Sequence, residues 1–194
     1  MKKIEFVYRE ILHHALEKKE RHLSQSYLAK TLQISLSTVN LALRPLVRMN
    51  AVRVGKRGLD IIDVKKILYY WASIRNVEKD LMYTTRVEEP VREIEKQMPG
   101  DVVFTAYSAY KFKFKDVPAD YSEVYVYGSE TTKKRFGENQ NSPNVFVLKQ
   151  DPYLGRYGKL VSMAHLFVDL WNLRQWYAKE FLVALEGKID RLLE

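Results

Sequence analysis

Residues 24–62 read SQSYLAKTLQISLSTVNLALRPLVRMNAVRVGKRGLDII, and the caps, apolar spacings and turn residues of this stretch decide the fold of the first part of the chain. Ser24 is placed to cap a short helix whose apolar positions Tyr27, Leu28 and Leu32 fall three and four residues apart. Ser35 is placed to cap a second helix after the tight Gln33-Ile34 connection. Two short helices so close in sequence cross and share a core. In the second, Val39, Leu43, Leu46 and Val47 form the expected buried stripe, which leaves Ser37, Thr38, Asn40, Leu41, Arg44 and Arg48 on other faces. Hydroxyl and amide groups reach base edges or phosphates, and guanidinium groups match guanine edges or phosphates, so this helix carries the chemistry of a major-groove element. Residues 51–54 read as a strand containing Arg53, Gly55-Lys56-Arg57-Gly58 as a turn, and 59–62 as the returning strand. The turn projects two cations between two glycines. Pro45 removes the amide that would bond the carbonyl of Leu41, at ~3 kcal/mol in a helix interior, so a kink or an early helix end is expected there.

With these residues in place, the stretch resembles the winged-helix transcription regulators of the MarR-like kind. The resemblance rests on Leu28, Ala29, Leu32, Ile34, Ser35, Ser37, Thr38, Val39, Ala42, Leu43 and Leu46, and Gln33 stands where that family's turn often has Gly. It covers about the first 75 residues and implies double-stranded DNA binding, usually by a two-fold homodimer. The residues expected to contact DNA are Ser35, Ser37, Thr38, Asn40, Leu41, Arg44, Arg48, Arg53, Lys56 and Arg57. Winged-helix folds also serve as protein-binding modules, so that alternative stays open.

Charge is divided unevenly. Residues 1–75 hold 15 Lys plus Arg against 6 Asp plus Glu, whereas residues 76–194 hold 17 against 18; the whole chain is +8. The surplus sits on the segment that carries the motif, as a polyanion-binding module requires. A solvated hairpin tip accounts for Lys56 and Arg57 without a ligand.

The 194 residues, 46% of them hydrophobic, suffice for one large or two modest globular domains. No stretch is apolar enough to span a bilayer, and Met1-Lys2-Lys3 runs into a charged segment rather than a signal peptide. With no cysteine, disulfides and thiolate metal sites are excluded, and a soluble, cytoplasmic protein with no membrane association is expected. His13, His14 and His22 lack metal-ligand spacing and read as surface residues. No catalytic acid, base or nucleophile arrangement stands out, and no cofactor or metal is expected.

Phe6, Val7, Ile11, Leu12, Ala15 and Leu16 supply a first helical layer ahead of the motif. After it, Asp63 is placed to cap a helix through Arg75 with Val64, Ile67, Leu68, Trp71 and Ile74 on one face. Tyr69, Tyr70 and Trp71 there suit either a subunit interface or packing on their own domain. Residues 76–100 read as a helical connector ending in the Pro99-Gly100 turn. Residues 101–110, 122–127 and 145–148 are strand-like, and 161–193 carry a helical period. The expected fold class is therefore α+β: a winged helix over 1–75, a connector over 76–100, and over 101–194 a smaller α/β domain with a long C-terminal helical segment. That second domain would serve dimerisation, sensing or partner binding. In Tyr107-Ser-Ala-Tyr-Lys-Phe-Lys-Phe-Lys115 the alternation places Lys111, Lys113 and Lys115 on one strand face, either to bind single-stranded nucleic acid or simply as the solvated face of a half-buried strand. Trp171, Trp176, Tyr177 and Phe181 suit a pocket, a core or a dimer seam.

Two further resemblances bear on this half. Val124-Tyr125-Val126-Tyr127-Gly128-Ser129 followed by a second strand is similar in outline to nucleotidyltransferases, but Ser142, Pro143, Asn144 and Val145 stand where that family has its metal-binding acids. The resemblance implies a catalytically inactive copy, and a plain strand-ending turn explains Gly128-Ser129 equally. Thr105-Ala106-Tyr107-Ser108-Ala109, Val161-Ser162 and Asp169-Leu170 are similar to AbiE-type antitoxins, winged-helix repressors whose second domain binds a toxin. That resemblance implies a protein partner and provides the alternative function, an antitoxin-like interaction module.

Overall fold

A computed structural model of the chain describes residues 1–139 and 141–194. It is α+β and divides into two compact units. The first comprises residues 1–75, 162–168 and 189–194; the second comprises 76–161 and 169–188. The segment 101–194 is thus shared, with 162–168 and 189–194 clustering with the N-terminal residues.

In the first unit α1 (Lys3–His13) continues as a π-turn over His14–Lys18. It is followed by β1 (His22–Leu23), α2 (Gln25–Thr31) and α3 (Leu36–Arg48). The hairpin β2 (Val52–Gly55) and β3 (Gly58–Ile61) comes next, and then α4 (Val64–Ile74). The strands form an antiparallel sheet in the order β1-β3-β2. Each helix start anticipated from sequence carries its cap: Ser24 accepts from the Tyr27 amide at 3.0 Å, Ser35 from Thr38 at 3.1 Å, and Asp63 from Lys66 at 3.0 Å. Gln33 sits between α2 and α3 at φ +48°, the left-handed conformation for which glycine is the usual occupant.

The core of this unit is the inward side of four helices. Val7, Ile11, Leu12, Leu28, Leu32, Val39, Leu46, Ile67 and Trp71 are buried, and α1 packs against both α3 and α4. Two expectations change here. Val47 is 41% exposed and Ala42 takes its place in the buried stripe, because Val47 lies about 80° round the helix from Val39 while Ala42, Leu43 and Leu46 cluster closer to it. Nor does Pro45 end the helix: α3 runs through it, its outer turns being held by packing rather than by propensity.

Tyr69, Tyr70 and Trp71 pack within their own unit. Trp71 donates to Glu5 at 3.1 Å, Tyr70 meets Tyr8 edge-on at 5.7 Å, and Tyr69 meets Phe167 at 5.9 Å. His14, expected at the surface, is buried at the start of the π-turn, seven residues after Val7 and three after Ile11 on the inward side of α1. Its ring nitrogens meet Glu20 at 2.7 Å, Tyr27 at 2.9 Å, Lys18 at 3.1 Å and Glu10 at 3.3 Å. His13 lies 2.6 Å from Glu17, and His22 remains exposed.

The second unit is built on a four-stranded sheet in the order β4-β7-β6-β5, with β4 (Leu81–Thr85), β5 (Val103–Phe104), β6 (Val124–Gly128) and β7 (Val145–Lys149). β6 and β7 are parallel, their crossover carrying α7 (Glu130–Phe136); the outer pairings are antiparallel. One face, with Val124, Val126, Val145, Val147 and Tyr83, packs on Ile94 of α5 (Val91–Gln97). Tyr125 and Tyr127, at the alternate positions of β6, turn to the other face. There Tyr127 and Thr105 both donate to Asp169, at 2.8 and 2.7 Å.

Two more expectations are revised in this unit. Residues 76–100 hold β4, a sheet strand, besides a helix, so they are part of a domain rather than a helical connector. The run Tyr107–Lys115 is not a strand: α6 (Ala106–Phe114) occupies it. Tyr107, Tyr110 and Phe114 fall three and four apart, with Tyr107 and Tyr110 each within 5.3 Å of Phe181 and Tyr110 at 4.8 Å from Phe114. Aromatic burial on a helical period outweighs the Lys/Phe alternation at its end, and the three lysines do not share one strand face. α8 (Met163–Trp171) and α9 (Ala178–Leu193) account for the helical period of 161–193, and Gly187 lies inside α9. Among the described residues no helix is long and apolar enough to cross a membrane.

Candidate nucleic-acid interface

The sequence-chosen residues of the first unit fall on two neighbouring features, the outward face of α3 and the β2–β3 hairpin. Ser37, Asn40, Leu41, Arg44 and Arg48 follow one another at intervals of one, three and four residues and are all exposed. Leu41 is 54% exposed in an otherwise polar row. A shallow depression of about 340 Å³ is lined by Gln25, Asn40, Leu43, Arg44, Val47, Arg48 and Val54. It joins the start of α2, the side of α3 and strand β2.

Ser35 and Thr38 are engaged in building the helix end. Ser35 Oγ accepts the Thr38 amide, and the two hydroxyls lie 2.9 Å apart. Their first role is to satisfy orphan amides at the start of α3; Thr38 is half-buried, Ser35 exposed. Asn40 Oδ1 accepts from Gln25 Nε2 at 2.9 Å. Gln25 was not singled out from the sequence, and no periodicity could have found it, because the contact links two helices fifteen positions apart.

Lys56 and Arg57 occupy the two-residue turn of the hairpin and are exposed, with Gly55 opposite Gly58 closing the ladder. Arg53 lies exposed on β2 across from Asp60. The Asp60 carboxylate in turn meets His22 Nδ1 at 2.7 Å, so Arg53 sits beside an acid while Lys56 and Arg57 extend beyond it. A charged face of this kind attracts polyanions over roughly a Debye length.

A second depression, of about 450 Å³, lies in the second unit at the carboxyl ends of β6 and β7. Asp101, Gly128, Ser129, Gln150, Asp151, Pro152 and Gly155 line it. Two carboxylates therefore accompany Gly128-Ser129, although the positions after Ser142 carry none. Asp101 is occupied by hydroxyls, accepting from Thr131 at 3.0 Å and Ser129 at 3.4 Å, and Asp151 accepts the Tyr153 amide at 3.0 Å. Ser129 also caps α7. Among the described residues no group of three or more His, Cys, Asp or Glu is arranged to hold a metal ion.

Buried ionisable groups lie elsewhere. His165 is enclosed against Trp71, ring centroids 5.4 Å apart. Burial, followed by the charges of Arg9 and Arg75, holds its pKa well below the usual histidine range. Glu123 is pushed up by burial and accepts from Tyr177.

No known family, curated protein or solved structure matches the chain.

Proposed function

We propose that this chain is a sequence-specific double-stranded DNA-binding transcription regulator, a repressor or autoregulator whose first unit is a winged helix. The observation that carries the proposal is the exposed row Ser37, Asn40, Leu41, Arg44 and Arg48 on a capped thirteen-residue helix, beside a hairpin tip of two cations. α3 enters the major groove, where Ser37, Asn40, Leu41 and Arg44 meet base edges. Arg48, Lys56 and Arg57 contact the flanking backbone, with the hairpin as the wing, and the +9 balance of residues 1–75 drives association through counterion release. Ser35 and Thr38 position the helix start. Two-fold pairing of the chain would place two such helices one DNA turn apart.

Fluorescence anisotropy of the intact protein on its own upstream DNA and on a scrambled duplex, across a salt series, tests this. The expected result is tighter binding to the native sequence, with affinity falling steeply as salt rises. Equal affinity for both duplexes removes sequence-specific regulation, and no binding removes the DNA-binding function.

A protein partner bound through the second unit, as for an antitoxin, is supported by the exposure of Trp171, Trp176 and Val183. Stable co-purification with the product of an adjacent gene would favour it.

A further inference from the structure

The hydrogen bond between Gln25 and Asn40 determines what Asn40 can read. Gln25 Nε2 donates to Asn40 Oδ1 at 2.9 Å, at the edge of the depression that Arg44 and Arg48 also line. This bond takes one of the two Oδ1 lone pairs and neither Nδ2 proton, so Asn40 keeps an acceptor and donors side by side. Exchanging the ends of both amides leaves the same outward complement, one donor and one acceptor. In the major groove only adenine answers it with an acceptor, N7, beside a donor, the N6 amino group; guanine offers two acceptors and cytosine a lone donor. Leu41 adds a second, independent observation. It is the next residue on α3 and is exposed in a polar row, and the thymine methyl group is the apolar feature that the major groove offers such a side chain.

We infer that Gln25 and Asn40 work as one amide pair that reads an A·T base pair, Asn40 contacting adenine bidentately, Leu41 meeting a thymine methyl, and Gln25 acting as a positioning residue. This rests on the DNA-binding reading above. Gln25 touches no base. It holds the Asn40 amide in one orientation before DNA arrives, so less side-chain freedom is lost on binding. Its removal therefore acts through Asn40 and vanishes when Asn40 is already gone.

The test is selection of sites from a random duplex library by the intact protein and by Gln25→Ala, Asn40→Ala and the double variant, followed by titration of the selected duplex with 7-deazaadenine, which lacks N7. Asn40 is exposed and Gln25 half-buried, and thermal melts check that each variant is folded. Wild-type protein is expected to select adenine at one position of each half-site. Asn40→Ala should erase that preference, ~5- to 150-fold, and Gln25→Ala should weaken it by about 2- to 10-fold. The double variant should match Asn40→Ala, and 7-deazaadenine should weaken the wild type while leaving Asn40→Ala unaffected. Salt dependence should be the same for all four proteins, which a general loss of DNA contact would not give. Full adenine preference in Gln25→Ala, alongside its loss in Asn40→Ala, overturns the pair. Loss of a preference other than adenine in Asn40→Ala overturns the base assignment. If the wild type retains no duplex at all, the DNA-binding reading fails and this inference with it, before any variant is compared.

Discussion

At the scale of single residues, the caps and the buried histidine have the sharpest consequences. Ser35 Oγ accepts the Thr38 amide and lies 2.9 Å from the Thr38 hydroxyl, so its hydroxyl caps α3. Ser35→Ala is expected to lower stability by ~1 kcal/mol, read as a shift in urea midpoint, while leaving base preference in the bound complex unchanged. His165 is held neutral by burial and by the neighbouring Arg9 and Arg75. Below the unfolded histidine pKa of about 6.5, the unfolded chain takes up a proton that the folded one refuses, so stability falls as pH falls. His165→Gln removes that dependence. The difference in unfolding free energy between wild type and variant should therefore change by up to about 1.4 kcal/mol per pH unit below about pH 6.5, to the disadvantage of the wild type, and stay flat above it. Trp71, against which His165 packs, is a suitable fluorescence reporter. Glu123, whose pKa burial raises, has the opposite sign, because protonation favours the folded state; the variant difference separates the two.

At the scale of elements, local rules hold where one face of an element is buried and fail where burial is all round. α2, α3, the hairpin and α4 follow their caps, spacings and turn residues. α6 does not, because Tyr107 and Tyr110 are buried on aromatic neighbours, and the Lys/Phe alternation over the same residues imitates a strand period beside their helical spacing. The hairpin depends on one of its two glycines. Gly58 sits at φ +145°, and a Cβ there would lie 2.4 Å from the Leu23 carbonyl oxygen of the adjacent strand, whereas a Cβ on Gly55 would meet nothing within 4 Å. Gly58→Ala is expected to destabilise the first unit by ~1 to 3 kcal/mol and to weaken DNA binding by disturbing the turn that carries Lys56 and Arg57. Gly55→Ala should stay within ~0.5 kcal/mol of wild type. Chemical denaturation and anisotropy on the same samples compare them.

At the scale of the whole molecule, charge separates the two units. Lys56→Ala with Arg57→Ala is expected to weaken all duplexes alike and to flatten the dependence of log affinity on log salt by ~0.9 per lost phosphate contact. Lys134→Glu with Arg135→Glu, a charge reversal at the exposed end of α7, should leave that slope unchanged. An equal effect of both changes, measured by salt-series anisotropy, would place the binding surface wrongly. The sequence by itself determined the starts of α2, α3 and α4, three of the four stripe positions expected in α3, the two-residue hairpin and the exposure of its cations, because caps, helical period and turn chemistry act within a few residues. Only the tertiary structure decided that residues 81–85 join a sheet, that α6 is helical, that His14 and His165 are buried and that Gln25 meets Asn40. Each of these depends on a partner distant along the chain, and burial against such a partner outweighs the few tenths of a kcal/mol by which local propensities differ.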